Sequence, residues 1–402
     1  MHQIVSRPRG QRLPPALNII ALAGFAASLS TRALDPVLPR VADEFAVSIA
    51  TAAGFASAFA LTYAVVQPML GAAADLFGKA RLMVGCLVLL GFASILGALT
   101  NSVPLFFATR ILAGIGSGGV FPVALGLTSD LVAPDKRQVA IGRTLAGAMA
   151  GNLLGASFSG LIGDFLGRRG VLAALGVLVL VSSIAVAAGF RGAALTHPPK
   201  TNLKALKHGY RAIFGNPNAT ICFLAVFVEG CCVFGLFPFI AAFLFDLGEI
   251  SLSVAGIVIA GFAVGGLLYT LTVPQFLPRL GVKGMMIGGA SVVALQLVAL
   301  AFGPGWKVQF LNLLLMGWGF YMMHGCLQVF ASELSVEARA TAMSLHSFFF
   351  FLGQTAGPIG YGFGLQHVGK QPTLSAAAAV MVVLGLICAQ LLRQRAPADA
   401  RG

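Results

Sequence analysis

Apolar runs of about 20 residues recur along this chain from Ala16 to Leu392, and each is long enough as a helix to cross a bilayer core of roughly 30 Å. That pattern decides the solvent. Charged residues make up 10% of the 402 positions, against about 25% in an ordinary soluble domain. Mean hydropathy is +0.91. One large soluble core would need a charged surface, and the chain lacks one. The expectation is an all-α membrane protein.

Twelve candidate transmembrane helices cover residues 16–38, 49–74, 81–100, 104–130, 139–165, 170–190, 217–241, 251–274, 282–303, 307–331, 340–365 and 373–393. The longest polar stretch, 191–216, carries Lys200, Lys204, Lys207 and Arg211 and reads as a cytoplasmic linker. The expected organisation is therefore a tail over 1–15, a six-helix bundle over 16–190 and the linker over 191–216. A second six-helix bundle over 217–393 and a tail over 394–402 complete it.

The net charge of +13 invites a nucleic-acid partner, but its distribution argues otherwise. If the first span runs outward, nineteen of the 26 Lys and Arg residues fall on the inner side and five outside, with Arg32 and Arg110 inside helices. This is the positive-inside asymmetry. It implies both termini in the cytoplasm, an inner (plasma) membrane location, the lipid bilayer as surroundings and no nucleic acid. The basic tail is expected to be a cytoplasmic flank rather than a cleavable signal. The six cysteines sit in apolar segments without metal-ligand spacing and read as small buried hydrophobes. No cofactor is expected.

The two bundles read as pseudo-symmetric copies. At a shift of 202 residues Gly151, Gly155, Gly160 and Gly167 meet Gly353, Gly357, Gly362 and Gly369, and Asn152 meets Gln354. With one residue of slip, Gly114 and Gly116 meet Gly317 and Gly319. Repeats of this kind characterise transporters in which one half rocks against the other around a midplane site. Glycines spaced three and four apart also let helix backbones approach closely in lipid.

These residues resemble a known family. The loop Gly71, Asp75, Gly78, Lys79, Arg81 resembles the signature loop of the major facilitator superfamily, with Leu76 and Ala80 where basic residues are common. Arg110, Gly114 and Gly116 resemble the fourth-helix motif of its proton-coupled antiporters, with Ala113 where Gln is frequent. Asp35, Pro36 and Pro39 resemble the end of the first helix in the twelve-span drug:proton antiporter branch. Asn152 stands where the fifth-helix antiporter motif has proline. The resemblance covers essentially the whole chain. It implies the major facilitator fold and alternating-access transport, and it casts Asp75 as an acid docking on the N-terminus of the eleventh helix. Gly71, Gly78, Lys79 and Arg81 complete that conformational latch; otherwise Asp75 is a solvated charge that only sets topology.

Ionisable groups inside spans cost several kcal/mol, so each needs a reason. Arg32 and Asp35 are three apart and share a helix face. Asp35 is the candidate proton acceptor, with Arg110 at similar depth tuning it, since a nearby cation favours the ionised form and burial the neutral one. The alternative is a fixed Arg32–Asp35 pair closing the outer gate. Glu229, near mid-membrane, recognises a cationic substrate, binds a second proton, or is a protonated acid hydrogen-bonded to a carbonyl. His324 and His346 titrate near working pH and serve as hydrogen-bond partners or as shuttles. Tyr63, Gln67, Asn152, Tyr269, Tyr321, Gln328 and Gln354 are candidates to line a substrate cavity with Glu229 and His324.

The leading expectation is a monomeric, proton-coupled exporter of small, amphipathic molecules. Proton-coupled uptake or facilitated passage of a metabolite such as an organic acid or sugar is the alternative, and a non-transporting sensor a remote one. An enzyme is not expected, because the chain holds no metal-ligand cluster, nucleophile elbow or phosphate loop.

Overall fold

The computed structural model describes residues 16–132, 137–190, 203–303, 305–335 and 338–392. Helix is the only regular structure among them. The first repeat contributes α1 (Ala16–Leu29), α2 (Leu38–Phe45), α3 (Ile49–Phe77), α4 (Lys79–Leu99), α5 (Val103–Asp130) and α6 (Arg137–Gly189). A helix α7 (Leu203–Phe214) follows. The second repeat contributes α8 (Pro217–Glu229), a π-turn (Gly230–Phe234), α9 (Phe237–Phe245), α10 (Leu252–Ala301), α11 (Trp306–Glu333), α12 (Arg339–His367) and α13 (Lys370–Leu391).

Eight stretches of the described helices are long and apolar enough to cross a membrane. Two belong to helices that are too long for one crossing. α6 has 53 residues and α10 has 50, about 75–80 Å at a rise of 1.5 Å per residue. Each is broken where glycine takes a positive φ, at Gly167 (φ 61°) and Gly281 (φ 64°). An L side chain rarely adopts that backbone, so glycine alone turns the chain there without strain.

One sequence expectation needs correction. The first span does not run as one helix to residue 38: α1 ends at Leu29, and turns lead to α2. Arg32 and Asp35 therefore sit on a turn rather than a helix. The linker expected over 191–216 contains α7, whose basic face carries Lys207 and Arg211. A polar segment with apolar positions at helical spacing gains by folding at an interface, where both faces are satisfied.

Packing follows the glycine register. A Cβ at Gly155 would lie 2.6 Å from the Leu29 carbonyl oxygen, and one at Gly357 would lie 2.6 Å from that of Cys231. Both partners are separated by the same 202 residues as the glycines. Gly151 abuts Phe25 and Gly353 abuts Phe227, again in that register. With the one-residue slip, Gly114 and Gly317 press on the carbonyls of Phe59 and Phe262. In lipid such van der Waals contact between backbones replaces the hydrophobic drive as the packing force.

The repeats also meet each other reciprocally. Gly160 of α6 packs on Leu252 of α10, and Gly362 of α12 packs on Ala50 of α3, where a Cβ would lie 2.9 Å from the Ala50 Cβ. Asp164 strengthens this end of the seam. Its carboxylate accepts the backbone N–H groups of Leu252 and Ser253, both at 2.8 Å, and the Ser251 hydroxyl at 3.0 Å. Those amides are orphan donors of the α10 N-terminus, where partial positive charge favours an anion.

Candidate functional site at the seam

Arg32 is the residue on which both repeats converge. Its Nη2 donates to Gln354 Oε1 of α12 at 2.7 Å, and its Nη1 donates to Asp35 Oδ2 at a looser 3.5 Å. The guanidinium also lies over the rings of Phe234 and Phe237, at 4.4 and 4.9 Å from their centroids. Weakly hydrated and planar, a guanidinium stacks on rings while its edge stays free to donate. Asp35 is 1% exposed. Next to the pair, the Thr31 hydroxyl donates to Asn152 Oδ1 of α6.

Arg110 stands elsewhere. It is 2% exposed, lies over the Phe106 ring at 5.7 Å, and its Nε and Nη2 have no hydrogen-bond partner. No carboxylate among the described residues pairs with it. The local cation for Asp35 is Arg32, so the expected tuning of Asp35 by Arg110 finds no contact in this conformation.

A second polar cluster occupies the second repeat. Glu229, fully buried at the last residue of α8, has Oε2 2.8 Å from His324 Nδ1. The other face of that imidazole, Nε2, lies 3.2 Å from Gln328 Nε2, one helical turn along α11. Glu229 is closed in this pair rather than open to a cavity. His346 of α12 approaches His324 with ring centroids 5.2 Å apart, and its Nε2 has no hydrogen-bond partner. The π-turn begins directly after Glu229. Such turns widen the backbone ladder and recur at functional sites.

Aromatic rings join the two clusters. Phe234 meets Phe262, Phe320 and Phe350, each at a centroid distance of 5.2 Å, and Phe320 stacks on His324 at 4.7 Å. Tyr321 packs between Phe320 and Tyr269, at 5.1 and 6.3 Å. Tyr63 contacts Phe351 across the seam at 4.2 Å, and Gln67 is buried one turn further along α3. The run Phe348–Phe351 thus faces several ways at once: Phe349 stacks on Phe223, while Phe350 meets His324 and Phe351 meets Tyr63 at tilted angles.

Of the latch residues, Gly78 (φ 86°) separates α3 from α4, and Lys79 donates to Asp130 at 2.7 Å. Arg81 is exposed. Gly71 and Asp75 fall in the last turns of α3, and the Asp75 side chain lies outside the described residues. Sequence reading missed a further ionic cluster at the Gly167 break. Arg168 is 1% exposed, donates twice to Glu44 at 2.7 and 2.8 Å, and donates to the Gly97 carbonyl at 2.6 Å. Its position directly after a helix-breaking glycine was the available signal.

A multi-pass helical protein whose repeats meet at a polar, aromatic seam has the architecture of a membrane transporter. The family model of the Major Facilitator Superfamily matches residues 20–358 and 222–402, and the chain belongs to that superfamily. Its members are transporters, not enzymes, and they act on small molecules. A chloramphenicol resistance protein of Streptomyces lividans is 29% identical over 64% of this chain and 67% of its own length. Multidrug resistance protein 1 of Bacillus subtilis is 24% identical over 85% and 88%. The crystal structure of the nucleoside transporter NupG superposes with a TM-score of 0.76 at 15% identity, covering 94% of this chain and 100% of that one.

Proposed function

We propose that this protein is a proton-coupled exporter of small, amphipathic molecules that works as a monomer by alternating access. The observation that carries the reading is Arg32, held between Asp35 of its own repeat and Gln354 of the other. Protonating Asp35 removes the anionic partner and leaves the guanidinium to Gln354 and the two rings. The proton load on one repeat is thereby felt at its contact with the other. The names of the resistance proteins above support an amphipathic, drug-like cargo, and the Phe-rich seam with its few polar groups suits one.

Twelve crossings follow if α6 and α10 each count as two, broken at Gly167 and Gly281, and if α1 and α12 each count as one. The bundles then divide at the 191–216 linker. The basic excess on one side supports both termini in the cytoplasm, with the Asp164 and Gly362 end of the seam facing outward and closed. In the same reading, Asp75 docks on the N-terminus of α12 when the inner end closes.

The test is transport in sealed vesicles of both orientations under an imposed proton gradient. Export reads as uptake into inverted vesicles driven by inside acidity, and Asp35→Asn abolishes the drive. Movement of cargo in the opposite direction would replace export with uptake, and transport indifferent to the gradient would remove proton coupling.

A further inference from the structure

The Glu229 cluster is a chain of three groups with a defined order of donors. The nitrogen of an amide donates and does not accept, so at 3.2 Å the Gln328 Nε2–H must donate to His324 Nε2. That leaves the imidazole proton on Nδ1, which donates to Glu229 Oε2 at 2.8 Å. Glu229 Oε1 has no hydrogen-bond partner, and the residue is 0% exposed. With Glu229 ionised, this arrangement is the proton-poor form: a neutral imidazole beside a carboxylate, carrying one buried negative charge. The other titratable groups within electrostatic reach of Glu229 are the thiols of Cys222, Cys232, Cys326 and Cys388 and the Tyr321 hydroxyl. His346 faces the imidazole from α12. Thiols and a phenol are neutral or anionic and never cations, so with His346 neutral none of these groups compensates the charge.

We propose that Glu229 and His324 form a one-proton binding site, separate from Asp35, with the Gln328 side-chain amide as its gate. A proton placed on Glu229 Oε1 finds no acceptor. One taken from water and placed on His324 Nε2 yields a neutral imidazolium–carboxylate pair, and the new N–H needs an acceptor. Gln328 supplies it by turning its amide half a rotation, so that the carbonyl oxygen replaces the NH2 group. Gln328 is the exposed member of the chain and lies on the same face of α11 as His324, which makes it the entry point. Loading the site changes the charge under Phe320, and Phe320 packs on Phe234, the ring beneath Arg32. The site thereby connects to the seam contact between the repeats.

The inference uses the transport reading only for what the proton does afterwards, and its test involves no transport. Full-length protein with 15N-labelled histidine is reconstituted in lipid, and its ring nitrogen resonances are followed as pH falls. His324→Gln identifies the His324 signals by their loss. The expected result is the neutral Nδ1–H form of His324 at alkaline pH, replaced on acidification by a form protonated at Nε2. Glu229→Gln removes the negative partner, and Gln328→Leu removes the acceptor. Each should make the change require about tenfold more protons or more. A His324 that keeps one protonation state wherever the protein stays folded overturns the proposal, as does a change that ignores both Glu229→Gln and Gln328→Leu. Loss of gradient dependence in vesicles would instead strike the export reading and leave this titration intact.

Discussion

Asp164 caps a helix of the opposite repeat: its two carboxylate oxygens accept the backbone N–H groups of Leu252 and Ser253, each at 2.8 Å. The contact joins α6 to the first turn of α10 beside the Gly160–Leu252 packing. Ser251 is the helix's own N-cap and takes the Val254 N–H, so Asp164 serves two amides that Ser251 leaves free.

Removing the Asp164 cap should loosen this end of the seam. Helix caps contribute about 1 kcal/mol, a factor of about five in an equilibrium constant. The Cβ positions of Ala50 and Gly362 are close enough to report it. In the double variant Ala50→Cys/Gly362→Cys, an oxidant should link the repeats readily and arrest transport. Adding Asp164→Ala should slow that link about fivefold. An unchanged rate would mean that the glycine packing alone holds the end shut.

The glycine contacts differ in what they tolerate. Alanine at Gly155 or Gly357 places a methyl group 2.6 Å from a backbone carbonyl oxygen, which has no rotamer to yield. Each substitution should destabilise by about 1–3 kcal/mol, read as a lower melting temperature in detergent. Gly360 has nothing within 4 Å of its Cβ position, so Gly360→Ala should be neutral or gain up to about 1 kcal/mol from helix propensity.

Arg110 is a buried charge with no carboxylate partner among the described residues. Burying a charge without a partner is costly, and an apolar side chain of similar volume removes that cost. Arg110→Met should therefore melt no lower than the parent. Arg32→Met, by contrast, removes the bond to Gln354 and leaves Asp35 unpaired. It should lower the melting temperature and uncouple transport from the gradient. A strongly destabilised Arg110→Met would reveal a partner that Arg110 meets in another conformation.

Glu44 lies on the polar helix α2, outside the crossings. Hydrogen bonds from Arg168 hold its carboxyl below the usual carboxylate range, and Arg169 adds to the effect. A depressed value in the folded state stabilises the protein above the ordinary carboxylate range, and the contribution disappears as pH falls through the depressed value. The melting temperature of the parent should therefore exceed that of Glu44→Gln at neutral pH, and the two curves should converge under acid conditions. High salt should shrink the gap, because Glu44 is partly solvated.

Periodic features of the chain translated directly into structure. The apolar runs became helices, and the 202-residue register of the glycines reappears atom by atom in the Gly155–Leu29 and Gly357–Cys231 contacts. Arg32 and Asp35, three residues apart, do pair, although on a turn where the loose 3.5 Å bond leaves Arg32 its tighter one to Gln354. The partner of Glu229 was not legible. His324 is 95 residues away, and no local spacing encodes which faces of α8 and α11 turn toward each other. Arg168 and Glu44 were hidden for the same reason, being 124 residues apart.

The order of apolar and polar segments, the helix-breaking glycines and the internal repeat are properties of the chain read along its length. They determined that this protein crosses a membrane repeatedly as paired helical units, because the cost of unpaired backbone in hydrocarbon leaves few other solutions. Which ionisable groups meet is a property of distance in space. The fold gave Asp35 to Arg32 rather than Arg110, closed Glu229 onto His324 and set Asp164 on the end of α10, because side chains far apart in sequence become neighbours only when helix rotation and depth are fixed by packing.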